Sequence, residues 1–451
     1  MRIVIIGLGK IGITILDNLS NDEHTLTIID ENKDKVENLI EKYDVYGVVG
    51  NGASYDIQLE ANVKDADVVI VLTNSDELNI LACLVAKRLG AHNTVARVRN
   101  PDYIKQIVDM KDELGISMIL NPEKETAEEL FSLINLPSVA HIERFAKGRV
   151  SLVSIVVEKG CSLIGETLIS IGKKFRTKVL ICAVQRGKEV FIPSGNFMIE
   201  EGDKIHFTSN ATSLGNFLGE INLVKSPLKK IMIIGGGNIG YYLAKKLTKR
   251  KYKVKIIENN KKRADLIAEL LPNSTIIYGD GTKHDLLLEE GIEAMDAFIP
   301  LTGIDEENII AAMYANKQKV KKIITKTNRE ELFYILEEVG IQNNVSPKDI
   351  VASNVIRYIR ALANSLGSNV ITLYRLVNNQ VEALEFIAKT EENFYDIPLK
   401  DVKLKDNCLI ACIIRNNEVI IPDGNSCIKL NDNVIVVTTH KNFDDLADIF
   451  E

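Results

Sequence analysis

The stretch Arg2-Ile3-Val4-Ile5-Ile6-Gly7-Leu8-Gly9-Lys10-Ile11-Gly12 is a short apolar run that ends in three glycines and passes into helical periodicity. It reads as strand, tight loop and helix start, with the glycines at G-x-G-x-x-G spacing. Each glycine has a physical task. Gly7 lets the chain turn sharply after the strand, Gly9 lets the backbone approach a pyrophosphate, and Gly12 lets the helix pack closely on the sheet. The free amides at the helix start, around Leu8, Lys10 and Ile11, would face the phosphates. Asp30 ends the next apolar run, Thr25 to Ile29, and lies 18 residues past Gly12. At that distance an acid hydrogen-bonds the adenosine ribose. It also repels a 2′-phosphate, which favours NAD(H) or an adenine nucleotide over NADP(H). The competing reading is a solvated aspartate opening the turn Glu31-Asn32-Lys33.

The whole arrangement returns. Lys230-Ile231-Met232-Ile233-Ile234-Gly235-Gly236-Gly237-Asn238-Ile239-Gly240 sits 228 positions after its counterpart, and Glu258 follows Gly240 by the same 18 residues. Gly279-Asp280-Gly281 answers Gly50-Asn51-Gly52, Thr302-Gly303 answers Thr73-Asn74, and Lys326 answers Arg97. Further along, Pro422-Asp423-Gly424 answers Pro193-Ser194-Gly195. Spacing kept through both parts indicates duplication of a two-domain module.

Within the first copy, apolar runs fall near 2–6, 25–29, 45–49, 67–72, 94–98 and 116–120, with helical patterns between them. Alternation of this kind predicts a doubly wound parallel sheet. A helix is expected over 122–134, followed by shorter β-type runs at 151–157, 179–185, 190–193 and 204–208. The fold class is therefore α/β: two tandem Rossmann-like sheets, each followed by a small α+β domain. The expected boundaries are 1–136, 137–224, 228–367 and 368–451.

Composition narrows the function classes. At 451 residues, 46% hydrophobic and 26% charged, the chain reads as a soluble globular protein of several domains. No apolar run reaches membrane-spanning length and no signal-peptide pattern is present, so a cytoplasmic location is expected. A net charge of −7 speaks against a nucleic-acid partner. The six cysteines form no C-x-x-C pair and the six histidines are scattered, so reduced core thiols are expected and no metal site. The basic run Lys245-Lys246, Lys249-Arg250-Lys251, Lys253 and Lys255 reads as a solvated face, with anionic lipid or a partner as the alternative.

The polar positions converge on the carboxyl edge of each sheet, where ligands of open sheets bind. Lys10 could reach a terminal phosphate; Asn238 is its uncharged counterpart. Arg97 is a second phosphate candidate, against a sheet-edge salt bridge. The first crevice is accordingly expected to hold the more highly charged nucleotide better. Thr73 and Asn74 could cap the next helix or touch the ribose, and Asp76 and Glu77 suit the first helical turn. Asn51 and Asp280 stand where adenine or its ribose would lie, or serve as turn formers. Neither small domain offers a His–Asp pairing, an Arg-rich pocket or a reactive cysteine, so catalytic residues are not expected.

The order of Gly7 to Gly12, Asp30, Gly50-Asn51-Gly52, Thr73-Asn74-Ser75-Asp76-Glu77-Leu78-Asn79 and Arg97-Val98-Arg99-Asn100-Pro101-Asp102-Tyr103 resembles the RCK (KTN) regulators of potassium transport. The duplicated layout extends the resemblance over essentially the full chain. It implies an RCK N-terminal Rossmann domain and an RCK C-terminal domain in each module. It also implies a peripheral cytoplasmic subunit on the inner face of the cell membrane. That subunit would be a homo-oligomer, a tetrameric ring, beneath a membrane-embedded Trk-type potassium translocator. NAD(H) and ATP or ADP would bind the crevices and gate the pore. By matching position the contacts would be Gly7, Leu8, Gly9, Lys10, Ile11, Gly12, Asp30, Asn51, Thr73, Asn74 and Arg97. In the second crevice they would be Gly235, Gly237, Asn238, Ile239, Gly240, Glu258 and Asp280. Gly303 departs from the first copy, which has Asn74 there. Two other readings stay open: an NAD-dependent oxidoreductase with a duplicated fold, and a soluble nucleotide sensor without a membrane partner.

Overall fold

The computed structural model describes residues 1–20, 24–134, 140–145, 150–187, 189–210, 214–222, 228–329, 331–341, 343–365, 370–376, 380–389, 392–416, 418–440, 443 and 445–450. They form two compact units: 1–132 with 229–359, and 133–228 with 360–451. The duplicated chain thus sorts its parts by kind. One unit holds both glycine-loop domains and the other holds both small domains.

In the first glycine-loop domain, strands β1 (Arg2–Ile6), β2 (Thr25–Asp30), β3 (Tyr46–Val49), β4 (Val68–Val71), β5 (Asn93–Arg97) and β6 (Met118–Leu120) alternate with helices. The helices are α1 (Lys10–Leu19), α2 (Lys33–Lys42), α3 (Tyr55–Glu60), α4 (Asp76–Leu89), α5 (Pro101–Met110) and α6 (Pro122–Ile134). The sheet is parallel in the order β3-β2-β1-β4-β5-β6. The order reverses between β1 and β4, the switch point at whose carboxyl edge open sheets of this kind take ligands. Ile3 to Ile6 and Val68 to Val71 are buried without alternation, as expected of parallel strands covered by helices on both faces.

The chain then forms β7 (Ala140–Phe145), β8 (Val150–Val156), α7 (Leu168–Lys174), β9 (Leu180–Arg186), β10 (Glu189–Phe191), β11 (Lys204–Asn210) and α8 (Leu214–Glu220). The antiparallel order is β10-β9-β11-β8-β7. Sequence periodicity did not reveal β7, because Arg144 and Phe145 break its alternation.

The second glycine-loop domain comprises β12 (Lys230–Ile234), α9 (Asn238–Lys249), β13 (Lys253–Glu258), α10 (Lys261–Leu270), β14 (Ser274–Tyr278), α11 (His284–Glu289) and β15 (Ala297–Pro300). It continues with α12 (Asp305–Lys317), β16 (Lys322–Ile323), β17 (Thr325–Lys326), α13 (Glu331–Glu338), β18 (Asn344–Val345) and α14 (Pro347–Ser365). A break at Ile324 divides the fifth strand, so the sheet runs β14-β13-β12-β15-β16 while β17 pairs with β18. Finally β19 (Val370–Leu376), β20 (Val381–Ile387), β21 (Cys408–Arg415), β22 (Glu418–Ile420) and β23 (Asn433–Thr438) repeat the small sheet as β19-β20-β23-β21-β22.

Inside the first unit, α14 meets α6 and β5, and α9 meets α6. The Asn354 amide bonds Glu125, Tyr358 Oη donates to Asn93 Oδ1 at 3.3 Å, and Lys246 pairs with Glu128 while lying 4.7 Å above the Phe131 ring. Lys255 pairs with Glu290 at 2.7 Å. Part of the basic run is therefore internal pairing rather than solvated face. Inside the second unit, the two small sheets share a core of Val150, Leu152 and Cys182 with Val381, Ala383, Ala411 and Cys412. Thr208 Oγ1 donates across it to the Ala411 carbonyl at 2.7 Å. Burial pushes the Cys83, Cys182 and Cys412 thiols up to about 12. These thiols are core residues, unreactive at neutral pH.

Both small sheets contain the same ion pair, a buried aspartate facing a half-buried arginine. Arg186 Nε and Nη2 each donate at 2.8 Å to Asp203, and Nη2 also donates to the Met198 carbonyl at 2.9 Å. Arg415 repeats this on Asp432 at 2.9 and 2.7 Å and on the Cys427 carbonyl at 2.7 Å.

Lys322, 2% exposed at the start of β16, is costly to the fold. Its Nζ donates to Asn343 Oδ1 at 3.3 Å, and burial pushes the ammonium down to about 7 from 10.5. Between those values the unfolded chain binds more protons than the folded one. Stability therefore rises with pH across that window, and the cost is fully present below it. Lys322→Met should raise stability near neutral pH by on the order of 2 kcal/mol, with the gain fading toward about pH 10. Denaturant titrations at both ends of the window measure this; equal gains at both would refute it.

Candidate nucleotide-binding crevices

The backbone separates glycines the chain needs from glycines it does not. Gly7 has φ +94°, and a Cβ there would come within 2.9 Å of Leu72 C and Thr73 N. A Cβ on Gly12 would lie 2.2 Å from the Gly7 carbonyl oxygen. The second copy repeats both restrictions, with Gly235 at φ +101° and a Gly240 Cβ 2.3 Å from the Gly235 oxygen. Gly9 differs. Its φ of −76° and ψ of −174° suit any residue, and an added Cβ meets nothing within 4 Å. Gly237, at −61° and −174°, is equally open. Neither middle glycine is required by packing, and each leaves bare the backbone that a diphosphate would approach.

These glycines are also the N-caps of α1 and α9, with no side-chain cap on either helix. By contrast α2, α4 and α10 are capped by Asn32, Ser75 and Asn260. The first-turn amides at Lys10, Ile11 and Gly12, and at Asn238, Ile239 and Gly240, are left for an anion. Lys10 is exposed and Ile11 half-buried.

The acids at the ends of the second strands brace the loops. Asp30 Oδ2 accepts from Leu8 N at 2.7 Å and Oδ1 from Asn32 N at 2.9 Å. Glu258 does the same for Gly236 N at 2.7 Å and Asn260 N at 2.8 Å. Two bonds leave each carboxylate lone pairs for ribose hydroxyls.

Other candidates take structural partners. Asn51 Oδ1 accepts from Ala53 N at 2.9 Å; Asp280 Oδ1 accepts from Thr282 Oγ1 at 2.7 Å and Thr282 N at 3.0 Å. Those bonds hold the Asp280 carboxyl below its ordinary value, the Thr282 hydroxyl contributing most. Thr73 N and Oγ1 both donate to Asn79 Oδ1, at 2.9 and 2.6 Å, and the Asn79 amide donates to the Arg97 carbonyl at 2.9 Å. Asn308 links Thr302 to Lys326 in the same way. Ser75, rather than Thr73 or Asn74, caps α4. Asn74 offers its carbonyl to the Arg99 guanidinium. Asp76, which suited the first turn on sequence grounds, accepts from Arg99 N at 2.8 Å and Asn100 N at 2.7 Å, so it clamps the loop after β5. Asp305 does the same through Asn328 N at 2.9 Å.

Arg97 Nη1 reaches the Thr73 carbonyl only at 3.5 Å, and burial, reinforced by Arg99, lowers its pKa. Lys326 Nζ donates to the Thr302 carbonyl at 2.5 Å; burial lowers it, and the charge of Lys10 adds to the effect.

Sequence reading passed over Arg263, in the first turn of α10. Its Nε donates to the Gly236 carbonyl at 2.8 Å and its Nη2 to Asn238 Oδ1 at 3.1 Å. The matching residue 228 positions earlier is Lys35, which is exposed. The only trace in the sequence is the change from lysine to arginine between the first helical turns of the two copies. Among the described residues, no group of histidines, cysteines and acids could hold a metal, and no helix is long and apolar enough to cross a membrane.

The TrkA-N domain family matches residues 3–122 and 231–347, and the TrkA-C domain family matches 152–234 and 384–451. The chain is 31% identical over 450 residues to the Trk system potassium uptake protein TrkA of Vibrio alginolyticus, covering 98% of this chain and 97% of that one. It is 30% identical over 444 residues to TrkA homolog 1 of Methanosarcina mazei, covering 97% of each. Among solved structures it is similar to the GsuK channel bound to NAD, with TM-score 0.63 at 18% identity, covering 97% of this chain and 76% of that one. It is also similar to the human SLO3 gating ring, with TM-score 0.50 at 12% identity, covering 97% and 99%. At these identities the structural likeness speaks for the fold.

Proposed function

Because this chain belongs to the TrkA family of Trk system potassium uptake proteins, we propose that it is the peripheral regulatory subunit of such a system. It binds NAD(H) and ATP or ADP in its two crevices and gates a membrane-embedded Trk-type potassium translocator from the cytoplasmic face, as a tetrameric ring. The observation that carries nucleotide binding is the pair of glycines at 9 and 237, which ligand approach explains and chain packing does not. The NAD complex of GsuK, on a similar fold, supports the same ligand class. The relatives are potassium uptake proteins, which favours control of transport over the oxidoreductase reading.

Gating by a ligand requires differential affinity for two arrangements of the assembly; tight binding to both would shift nothing. The loop amides would hold the diphosphate, Asp30 and Glu258 the ribose hydroxyls, and Lys10 a terminal phosphate in the first crevice. The test is calorimetric titration with ATP, ADP, NAD and NADH. Native protein should prefer ADP to 2′-deoxy-ADP by about tenfold, the size of a hydrogen bond to a charged group. Asp30→Ala should erase that preference in the first crevice. A preference that survives Asp30→Ala in the first crevice would sink the ribose assignment there, and no binding of any of the four would sink the nucleotide reading.

A further inference from the structure

Arg263 sets the two crevices apart in a way their glycine loops alone do not. Its guanidinium is bonded to the carbonyl of Gly236 and the side chain of Asn238, and so bridges the open Gly237 between them. In the first copy the corresponding helix turn carries Lys35, which is exposed, and the loop itself carries Lys10. The second loop has the uncharged Asn238 where the first has Lys10, and its helix cation, Arg263, reaches the loop where Lys35 stays exposed. The two bonds use two of the five N–H donors of the guanidinium, leaving three in a planar fork suited to phosphate oxygens.

Resting on the nucleotide reading above, we infer that Arg263 is the phosphate-binding cation of the second crevice. It sets that crevice's preference for an adenosine 5′-diphosphate group, as found in ADP and in the adenosine half of NAD. Gly237 leaves room for the diphosphate, Asn238 and Ile239 offer amides, and Glu258 faces the ribose. The guanidinium is already tethered beside that room, so little side-chain entropy is lost when it turns to the ligand. A third phosphate gains no loop lysine here, whereas in the first crevice Lys10 can meet it. The two crevices are thereby tuned to different numbers of phosphates: the first carries a cation on its loop, and the second draws its helix cation onto the loop instead.

The test uses the full-length chain carrying Gly9→Asp, which closes the first crevice, with and without Arg263→Ala or Arg263→Lys. Adenosine, AMP, ADP and NAD are titrated calorimetrically, and thermal unfolding is followed as a fold control. Expected is a roughly tenfold loss of ADP and NAD affinity in Arg263→Ala, with adenosine unchanged and Arg263→Lys in between. An equal loss for adenosine, AMP and ADP would mean that Arg263 only braces the loop, and would overturn the inference. A gain in ADP affinity would make it a latch over the crevice, with the same consequence. If ADP binds the Gly9→Asp protein and Arg263→Ala leaves its affinity intact, this inference fails while the nucleotide reading stands. If ADP does not bind the Gly9→Asp protein at all, the nucleotide reading of the second crevice fails with it.

Discussion

Gly9→Asp and Gly237→Asp are expected to abolish nucleotide binding in their own crevices while leaving the fold as stable as before, or more so. Position 9 is the N-cap of α1, in a backbone conformation open to any residue, with no neighbour in the way of a side chain. Aspartate is among the best N-cap residues and complements the helix dipole, so each substitution should stabilise its helix by up to about 1 kcal/mol. The same carboxylate would occupy the amides and the space meant for the diphosphate, and repel it. An affinity loss of at least about a hundredfold follows from combining lost anion contacts with like-charge repulsion. Gly12→Ala is the control with opposite effects in kind. Its methyl group would sit 2.2 Å from the Gly7 carbonyl oxygen, so the loop must open. A stability loss of about 3 kcal/mol is expected for that overlap. Thermal unfolding and calorimetry on the three variants decide the matter. If Gly9→Asp binds ADP and NAD in both crevices like native protein, or unfolds as easily as Gly12→Ala, the role given to the middle glycine is wrong.

The second large effect concerns the small domains. Asp203 is 1% exposed and takes two bonds from Arg186 and one from Glu200 N at 2.9 Å. Asp203→Ala would leave the Arg186 guanidinium with only Glu200 and the Met198 carbonyl, and a loop amide without its acceptor. Because the arginine is half-buried and keeps Glu200, the cost is expected below that of a fully buried pair, at about 2 kcal/mol. Asp432→Ala should behave alike, because Arg415, Asp432 and Lys429 N reproduce the arrangement. Replacing both partners with apolar residues of similar volume, as in Arg186→Met with Asp203→Leu, should cost clearly less than either single change. Denaturant unfolding gives the comparison. A single-site cost below about 1 kcal/mol, the level of an exposed pair, would show that the pair contributes little.

The parts legible in the sequence are those set by local rules. The strands of the first sheet and the helix at 122–134 lie where apolar periodicity puts them, because parallel strands buried on both faces must be continuously apolar. The glycine loops were legible because two of the three glycines obey steric demands within a few residues. What escaped was set by side chains that travel. Arg263 was hidden in the basic run Lys261-Lys262-Arg263, where nothing local tells a solvated arginine from one that reaches back to a neighbouring loop. Asp76 carried the residue type of a first-turn acid, yet its partners are amides 23 and 24 positions away. Asn51 and Asp280 had two readings on sequence grounds, and the observed bonds are those of turn formers.

The sorting of a duplicated chain by kind has an evolutionary corollary. When two identical subunits pair, every substitution appears twice and both sites must change together. With both glycine-loop domains on one polypeptide, each site can mutate alone while its neighbour keeps the original chemistry. The divergence of Lys10 from Asn238, and of Lys35 from Arg263, is the kind of independent drift that fusion permits and a homodimer forbids.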